Sequence, residues 1–306
     1  MNKVSVIIPA YNKADYTALA IDSVLGQTYP DIEIIVVDDG STDKTRERLA
    51  AYGQKIRYIY KENGGACSAR NIGIREARGE YIALLDCDDL YAANKIELGV
   101  EYFQRHPGIG FIHTAAHFID REGRTVGYYS HPKSRRQGSI AGQLILGNHI
   151  CNSTVMVRRS CFEKVGLFDE SIFTPADWDM WLRLAEHFQA GYINMPLTRY
   201  RVSDNYILNK LDLARQEEEK VVENYFKRHP QASAIERRRV LSFLHLRFAE
   251  CYLIKDNPLR LKEEFKTAVD LYPWNLKTWA LLVLYGCARP LLRNVLTKKI
   301  LRNGSK

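Results

Sequence analysis

Val4-Ser5-Val6-Ile7-Ile8-Pro9-Ala10-Tyr11-Asn12 and Ile32-Glu33-Ile34-Ile35-Val36-Val37-Asp38-Asp39-Gly40-Ser41 decide the fold. Residues 4–8 are β-branched apart from Ser5, and such a run suits a strand buried on both faces. Pro9 to Asn12 ends it. The sequence predicts Asn12 as a helix N-cap, with Asp15 near the positive helix end. Tyr16, Leu19, Ala20, Ser23 and Val24 then fall at helical spacing, and Gln27-Thr28-Tyr29-Pro30 closes that helix. Residues 32–37 read as a second strand, 42–51 as a short helix and 56–60 as a third strand. Asn63-Gly64-Gly65 reads as a turn, 66–77 as a helix and 81–85 as a fourth strand, ending in Asp86-Cys87-Asp88-Asp89. This strand–helix alternation predicts an α/β fold with a mainly parallel, Rossmann-like sheet flanked by helices.

Parallel sheets of this kind bind ligands beyond the carboxyl ends of their strands. Two of the strands end in acidic clusters. If they are neighbours, Asp38, Asp39, Asp86, Asp88 and Asp89 crowd one rim, where uncompensated carboxylates repel one another. A bound cation relieves that repulsion, and an oxygen-rich site suits Mg2+ or Mn2+. The alternative is that Asp38, Asp43 or Asp89 only caps a helix or turn.

Composition narrows the function classes. The chain has 306 residues, 46% hydrophobic and 26% charged, which suits a globular protein and excludes a disordered, collagenous or coiled-coil one. Lys and Arg total 44 against 36 Asp and Glu, a net charge of +8, which favours an anionic partner. The six cysteines contain no C-x-x-C pair, so neither a zinc ribbon nor a small disulfide scaffold is expected, and a reducing compartment is. The apolar run 279–285 is far short of the roughly 20 residues needed to cross a bilayer. The expected location is cytoplasmic, or peripheral on the inner face of the plasma membrane.

The two opening stretches resemble the start of a family 2 glycosyltransferase with the GT-A fold. Asn63-Gly64-Gly65-Ala66-Cys67-Ser68-Ala69-Arg70-Asn71-Ile72-Gly73 is similar to that family's next segment. Gly79 to Asp89 resembles its D-x-D stretch, and Asp177-Trp178-Asp179-Met180-Trp181-Leu182-Arg183 resembles the acidic motif that opens its catalytic helix. The resemblance spans residues 3–203. It implies transfer of a sugar from a nucleoside diphosphate to an acceptor hydroxyl, with a divalent metal stabilising the leaving diphosphate. By resemblance Asp88 is a direct metal ligand, and Asp86 contacts ribose or the metal shell. Asp39 accepts a hydrogen bond from the nucleobase, and Pro9, Ala10, Tyr11 and Asn12 line the base pocket. Gly64 and Gly65 let the backbone approach the nucleotide, and Arg70 faces it with a charge that suits phosphate. UDP or dTDP is the favoured donor base.

Asp177 is the candidate general base, at the start of a helix with Trp178, Trp181, Leu182, Ala185 and Phe188 as its apolar stripe. A single displacement inverts the anomeric centre. The family often carries an acidic residue just before this aspartate; here it is Ala176, with Asp179 as the fallback base. The Q-x-x-R-W signature of processive members is absent, which implies one sugar per encounter. The acceptor is expected to be a glycan or lipid-linked glycan, in cell-surface polysaccharide synthesis.

Residues 109–116 and 153–157 read as strands, with a turn at 120–123. His113 and His117 read as core or surface histidines. Lys133-Ser134-Arg135-Arg136 reads as a basic cluster open to an anionic acceptor or to solvent. The expected domains are 1–204, a catalytic domain with a nucleotide half (1–90) and an acceptor half (91–204), and 205–306, a helical region with a basic tail. Helices are expected at 240–254, 259–271 and 276–288, and 274–306 is a candidate contact for an anionic membrane. A nucleotidyltransferase or a dehydrogenase needs a glycine-rich loop where Pro9-Ala10-Tyr11-Asn12 stands. No nucleic-acid motif appears. A catalytically inactive nucleotide-sugar-binding scaffold is the remaining alternative, supported by Ala176.

Overall fold

A computed structural model describes residues 3–129, 137–202, 210–274 and 280–281. The chain divides into two compact units, 1–141 with 149–202, and 142–148 with 203–306.

The first unit alternates β1 (Val4–Ala10), α1 (Ala14–Leu25), β2 (Ile32–Asp39), α2 (Thr45–Ala50), β3 (Arg57–Lys61), α3 (Ala66–Glu76) and β4 (Tyr81–Leu84). Every residue of β1 is buried, as its unbroken apolar run requires. β1 lies between β2 and β4, and all three run parallel, with β3 parallel outside β2. The helix α3 packs so closely on β1 that a Cβ on Gly73 meets Ile7 Cγ2 at 2.4 Å, so only glycine fits there.

Beyond β4 the sheet is mixed. β5 (Leu90–Tyr91), α4 (Lys95–Arg105), β6 (Ile109–Ile119), β7 (Thr125–Tyr129), α5 (Ala141–Leu144), β8 (Met156–Arg158), α6 (Arg159–Val165), α7 (Ala176–His187) and β9 (Gln189–Arg201) follow. The path is β3-β2-β1-β4-β8-β6-β9-β5, with β7 on β6. β6 and β9 are parallel, whereas β4–β8, β6–β8, β6–β7 and β5–β9 are antiparallel. The parallel character read from the sequence thus belongs to β1–β4, where helical crossovers join the strands, and returns in the β6–β9 pair; the β6–β7 hairpin reverses direction through the turn at 120–123.

Several local expectations change. Asn12 is not the N-cap of α1; it has φ 49° and Lys13 takes the cap position. Its Oδ1 instead accepts from the Thr42 and Asp43 amides, tying the end of β1 to the loop after β2. The stretch 153–157 opens as a 3-10 turn, Asn152–Thr154, before β8. His113 is buried against the Tyr192 ring, a core histidine.

In the second unit α8 (Leu211–Arg228), α9 (Ala234–Ile254) and α10 (Pro258–Leu271) pack together. Ser233 caps α9 and Asn257 caps α10, each accepting from an amide three residues on. His245 on α9 lies between Glu264 on α10, at 2.6 Å, and Glu219 on α8, at 3.3 Å. The basic cluster 133–136, most of the third expected helix and the basic tail from Arg289 lie outside the described residues. Among the described residues no helix is long and apolar enough to cross a membrane.

Candidate active site

The carboxyl ends of β2, β1 and β4 form one rim. β1 separates the two acidic strand ends, so Asp39 and Asp86 flank it instead of adjoining each other. Ala10 is the register partner of Asp38, and Ile7 that of Leu84, so Asp86 follows β4 level with Pro9. Pro9 and Ala10 are buried in β1, and the chain then surfaces at Tyr11, which is 48% exposed. Tyr11 is therefore not a core aromatic.

The aspartates sort into two roles. Asp38 and Asp89 are structural. Asp38 accepts from the Ser41 amide at 2.8 Å and from the Tyr58 hydroxyl, and burial together with that carboxylate pushes the Tyr58 phenol up. Asp89 accepts from the Ser153 hydroxyl at 2.6 Å and the Arg201 amide at 2.7 Å. Asp43 accepts from the Thr45 amide and caps the first turn of α2.

Asp39, Asp86 and Asp88 stay at the rim, and each holds a cation, so the expected repulsion is already compensated. Asp39 Oδ1 accepts from Lys61 Nζ at 2.6 Å and the Gly64 amide at 2.9 Å, and Oδ2 from the Gly65 amide at 2.8 Å. Gly65 has φ 90°, a conformation that favours glycine, so this turn and the Asp39 carboxylate fix each other. Asp86 Oδ1 accepts from Arg70 Nη2 at 2.6 Å and Asn152 Nδ2 at 2.8 Å, while the Asp86 amide donates to Ser153 Oγ. Asp88 Oδ2 accepts from Lys13 Nζ at 2.6 Å, and the Asp88 carbonyl accepts from Arg201 Nε. Burial and the neighbouring Asp88 push the Cys87 thiol up to about 12, so it stays a protonated filler.

Arg70 is largely buried and not a solvated helix residue. Its guanidinium lies over the Phe168 ring, 5.6 Å from the centroid, and its Nε is buried without a partner among the described residues. Burial opposes its charge, but Asp86, Cys67 and Asp177 more than offset that, and its pKa is raised.

Asp177 is the second residue of α7 and only partly buried. Ala176 beside it is buried and brings no carboxylate. Asp179 is no substitute: it is buried and held by Arg183 at 2.8 Å, one turn on. The loop before α7 carries Phe173, 59% exposed and 4.0 Å from where a Cβ on Gly65 would lie. Lys13, Lys61, Asn152 and Ser153 are site residues that sequence reasoning missed; only Lys61 left a usable trace, as a lysine just past the expected strand 56–60, and it pairs in register with Asp39.

Among the described residues no three acidic, histidine or cysteine side chains converge as a metal cage. Asp88 offers a hard carboxylate, with Asp86 two residues away. Mg2+ and Mn2+ suit such oxygen donors, and Mg2+ is commonly held by one or two carboxylates with substrate phosphates and water completing the shell. The donor set fits such an ion.

The profile of "Glycosyl transferase family 2" matches residues 5–166. An uncharacterized glycosyltransferase of Rickettsia typhi is 40% identical over 217 residues, 68% of this chain and 68% of that protein. Some other curated relatives are longer, and the chain spans about a third of their length. Among solved structures, the mannosyltransferase PcManGT from Pyrobaculum calidifontis, in complex with GDP-Man and Mn2+, superposes with a TM-score of 0.60 at 20% identity, over 97% of this chain and 84% of that one. S. aureus TarS 1–349 in complex with UDP-GlcNAc superposes with a TM-score of 0.58 at 17% identity, over 88% and 89%. The mixed sheet with its flanking helices is the GT-A fold that these glycosyltransferases share, and the chain belongs to glycosyl transferase family 2.

Proposed function

We propose that this glycosyltransferase moves one sugar from a nucleoside diphosphate to an acceptor hydroxyl with inversion, using Asp177 as base and a divalent cation on Asp88. The observation that carries the reading is Arg70: it hydrogen-bonds Asp86 at the nucleotide rim and lies within electrostatic reach of Asp177. In this reading donor and acceptor chemistry meet around one largely buried guanidinium.

The acceptor hydroxyl gives its proton to the Asp177 carboxylate as its oxygen bonds to the anomeric carbon. The bond from that carbon to the diphosphate oxygen breaks, and its electron pair leaves with the diphosphate. Asp39 and the Gly64–Gly65 turn take the nucleobase, and Pro9, Ala10, Tyr11 and Asn12 line its pocket. Asp86 takes the ribose, and Arg70 orients it. When bound, Mg2+ or Mn2+ neutralises charge on the diphosphate, held by Asp88 and Asp86. PcManGT carries Mn2+ with a GDP-sugar and TarS carries a UDP-sugar, which supports a nucleotide-sugar donor without choosing its base. The acceptor is a glycan or lipid-linked glycan.

The test is transfer with UDP-GlcNAc and GDP-Man over a panel of glycan acceptors, comparing wild type with Asp177→Asn. The variant is expected to bind donor normally and to lose transfer by about 10²–10⁴-fold. Full transfer by the variant removes Asp177 from the mechanism.

A further inference from the structure

The three rim carboxylates are paired at one distance, 2.6 Å, yet their cations differ in exposure. Lys61 and Arg70 are 17% and 12% exposed. Lys13 is 41% exposed, while its partner Asp88 is 11% exposed. The backbone on either side of this pair is fixed. Asn12 is locked to the loop after β2 by hydrogen bonds to Ser41, Thr42 and Asp43, and the Asp88 carbonyl is held by Arg201. A long, half-exposed side chain thus swings from a fixed base onto a fixed, nearly buried carboxylate.

We infer that Lys13 is a displaceable counter-cation: it neutralises Asp88 when the donor is absent and leaves when a divalent ion arrives with its diphosphate. This rests on the reading of Asp88 as a metal ligand. A carboxylate this buried is costly without a countercharge, so the resting enzyme needs one. An ammonium and a divalent ion at contact with one carboxylate repel each other, so binding of the ion expels Lys13. The expelled ammonium stays tethered at the start of α1, beside the rim, where a diphosphate gives it a new partner. Metal alone therefore binds against Lys13, whereas metal and nucleotide favour each other's binding, and by linkage equally.

The test is a Mn2+ titration of the full chain, followed by the spin-resonance signal of free Mn2+, with and without UDP. Lys13→Met is expected to bind Mn2+ without nucleotide about five-fold more tightly than wild type, as removal of a competing ion pair allows. The gain in Mn2+ affinity on adding UDP is expected to shrink. Lys13→Arg, which keeps the charge, is expected to behave as wild type, and melting curves verify that all variants fold. Unchanged or weaker Mn2+ binding by folded Lys13→Met overturns the inference. If Asp88→Asn leaves Mn2+ binding intact in both backgrounds, the metal reading itself falls.

Discussion

Asn71 and Phe168 exchange two hydrogen bonds of 2.9 Å, from Asn71 Nδ2 to the Phe168 carbonyl and from the Phe168 amide to Asn71 Oδ1. Asn71 Nδ2 also donates to Glu170 at 2.8 Å, so one buried side chain fastens the loop leading to Asp177 onto α3. Asn71→Ala leaves a buried amide and carbonyl without partners, at about 1–3 kcal/mol each. Urea denaturation is expected to show a loss of a few kcal/mol, with kcat falling as Asp177 loses its placement. Wild-type stability in this variant contradicts the assignment.

Arg201 holds the other side of the rim. Its Nε donates to the Asp88 carbonyl at 2.9 Å and its Nη1 to the Asp120 and Arg121 carbonyls, and its guanidinium lies 4.6 Å from the Tyr16 ring centroid. A lysine keeps the charge but not this fork of donors. Arg201→Lys is therefore expected to fail to rescue: calorimetry should show nucleotide affinity reduced about ten-fold or more, the loss of roughly one charge-assisted hydrogen bond.

Lys95 is fully buried, donates to the Thr154 carbonyl at 2.9 Å and is pushed down to about 7 by desolvation. The sign follows from linkage. Between about pH 7 and the unfolded value near 10.5 the unfolded chain holds the extra proton, so stability rises with pH, by up to about 1.4 kcal/mol per unit. Below pH 7 both states are protonated and the burial cost is present in full. Denaturation of wild type and Lys95→Met at pH 7 and pH 9 is expected to show the difference moving in favour of wild type at the higher pH. An equal difference at both values contradicts a neutral buried lysine.

The nucleotide half was legible because its signals are local. Residues 4–10, 32–39 and 81–84 are strands built from β-branched or apolar runs, and the second and third of them bring their terminal aspartates to the same rim. Which aspartates face the rim was legible from the family resemblance and not from the strand pattern. Asp38 and Asp39 are adjacent, and what separates them is Tyr58, Gly64 and Gly65, which only the folded sheet brings near. Lys13 was hidden likewise: it meets Asp88 across 75 positions. Ser153 and Thr154 of the 3-10 turn fall in the expected strand 153–157 because apolar residues follow them, although the Asn152 amide and the Ser153 hydroxyl hold Asp86. The helix α8 went unread because its run of charges masks Ala214, Val221, Val222, Tyr225 and Phe226, the side it buries.

The most direct test of the account is the melting temperature of the wild type and of Asp88→Ala with UDP, dTDP and GDP, each with Mn2+ and with chelator. A ligand confined to the native state raises that temperature by mass action. The account predicts a rise with at least one diphosphate that requires Mn2+ and disappears in Asp88→Ala. No rise with any of the three, or a rise that survives both chelator and the substitution, contradicts it.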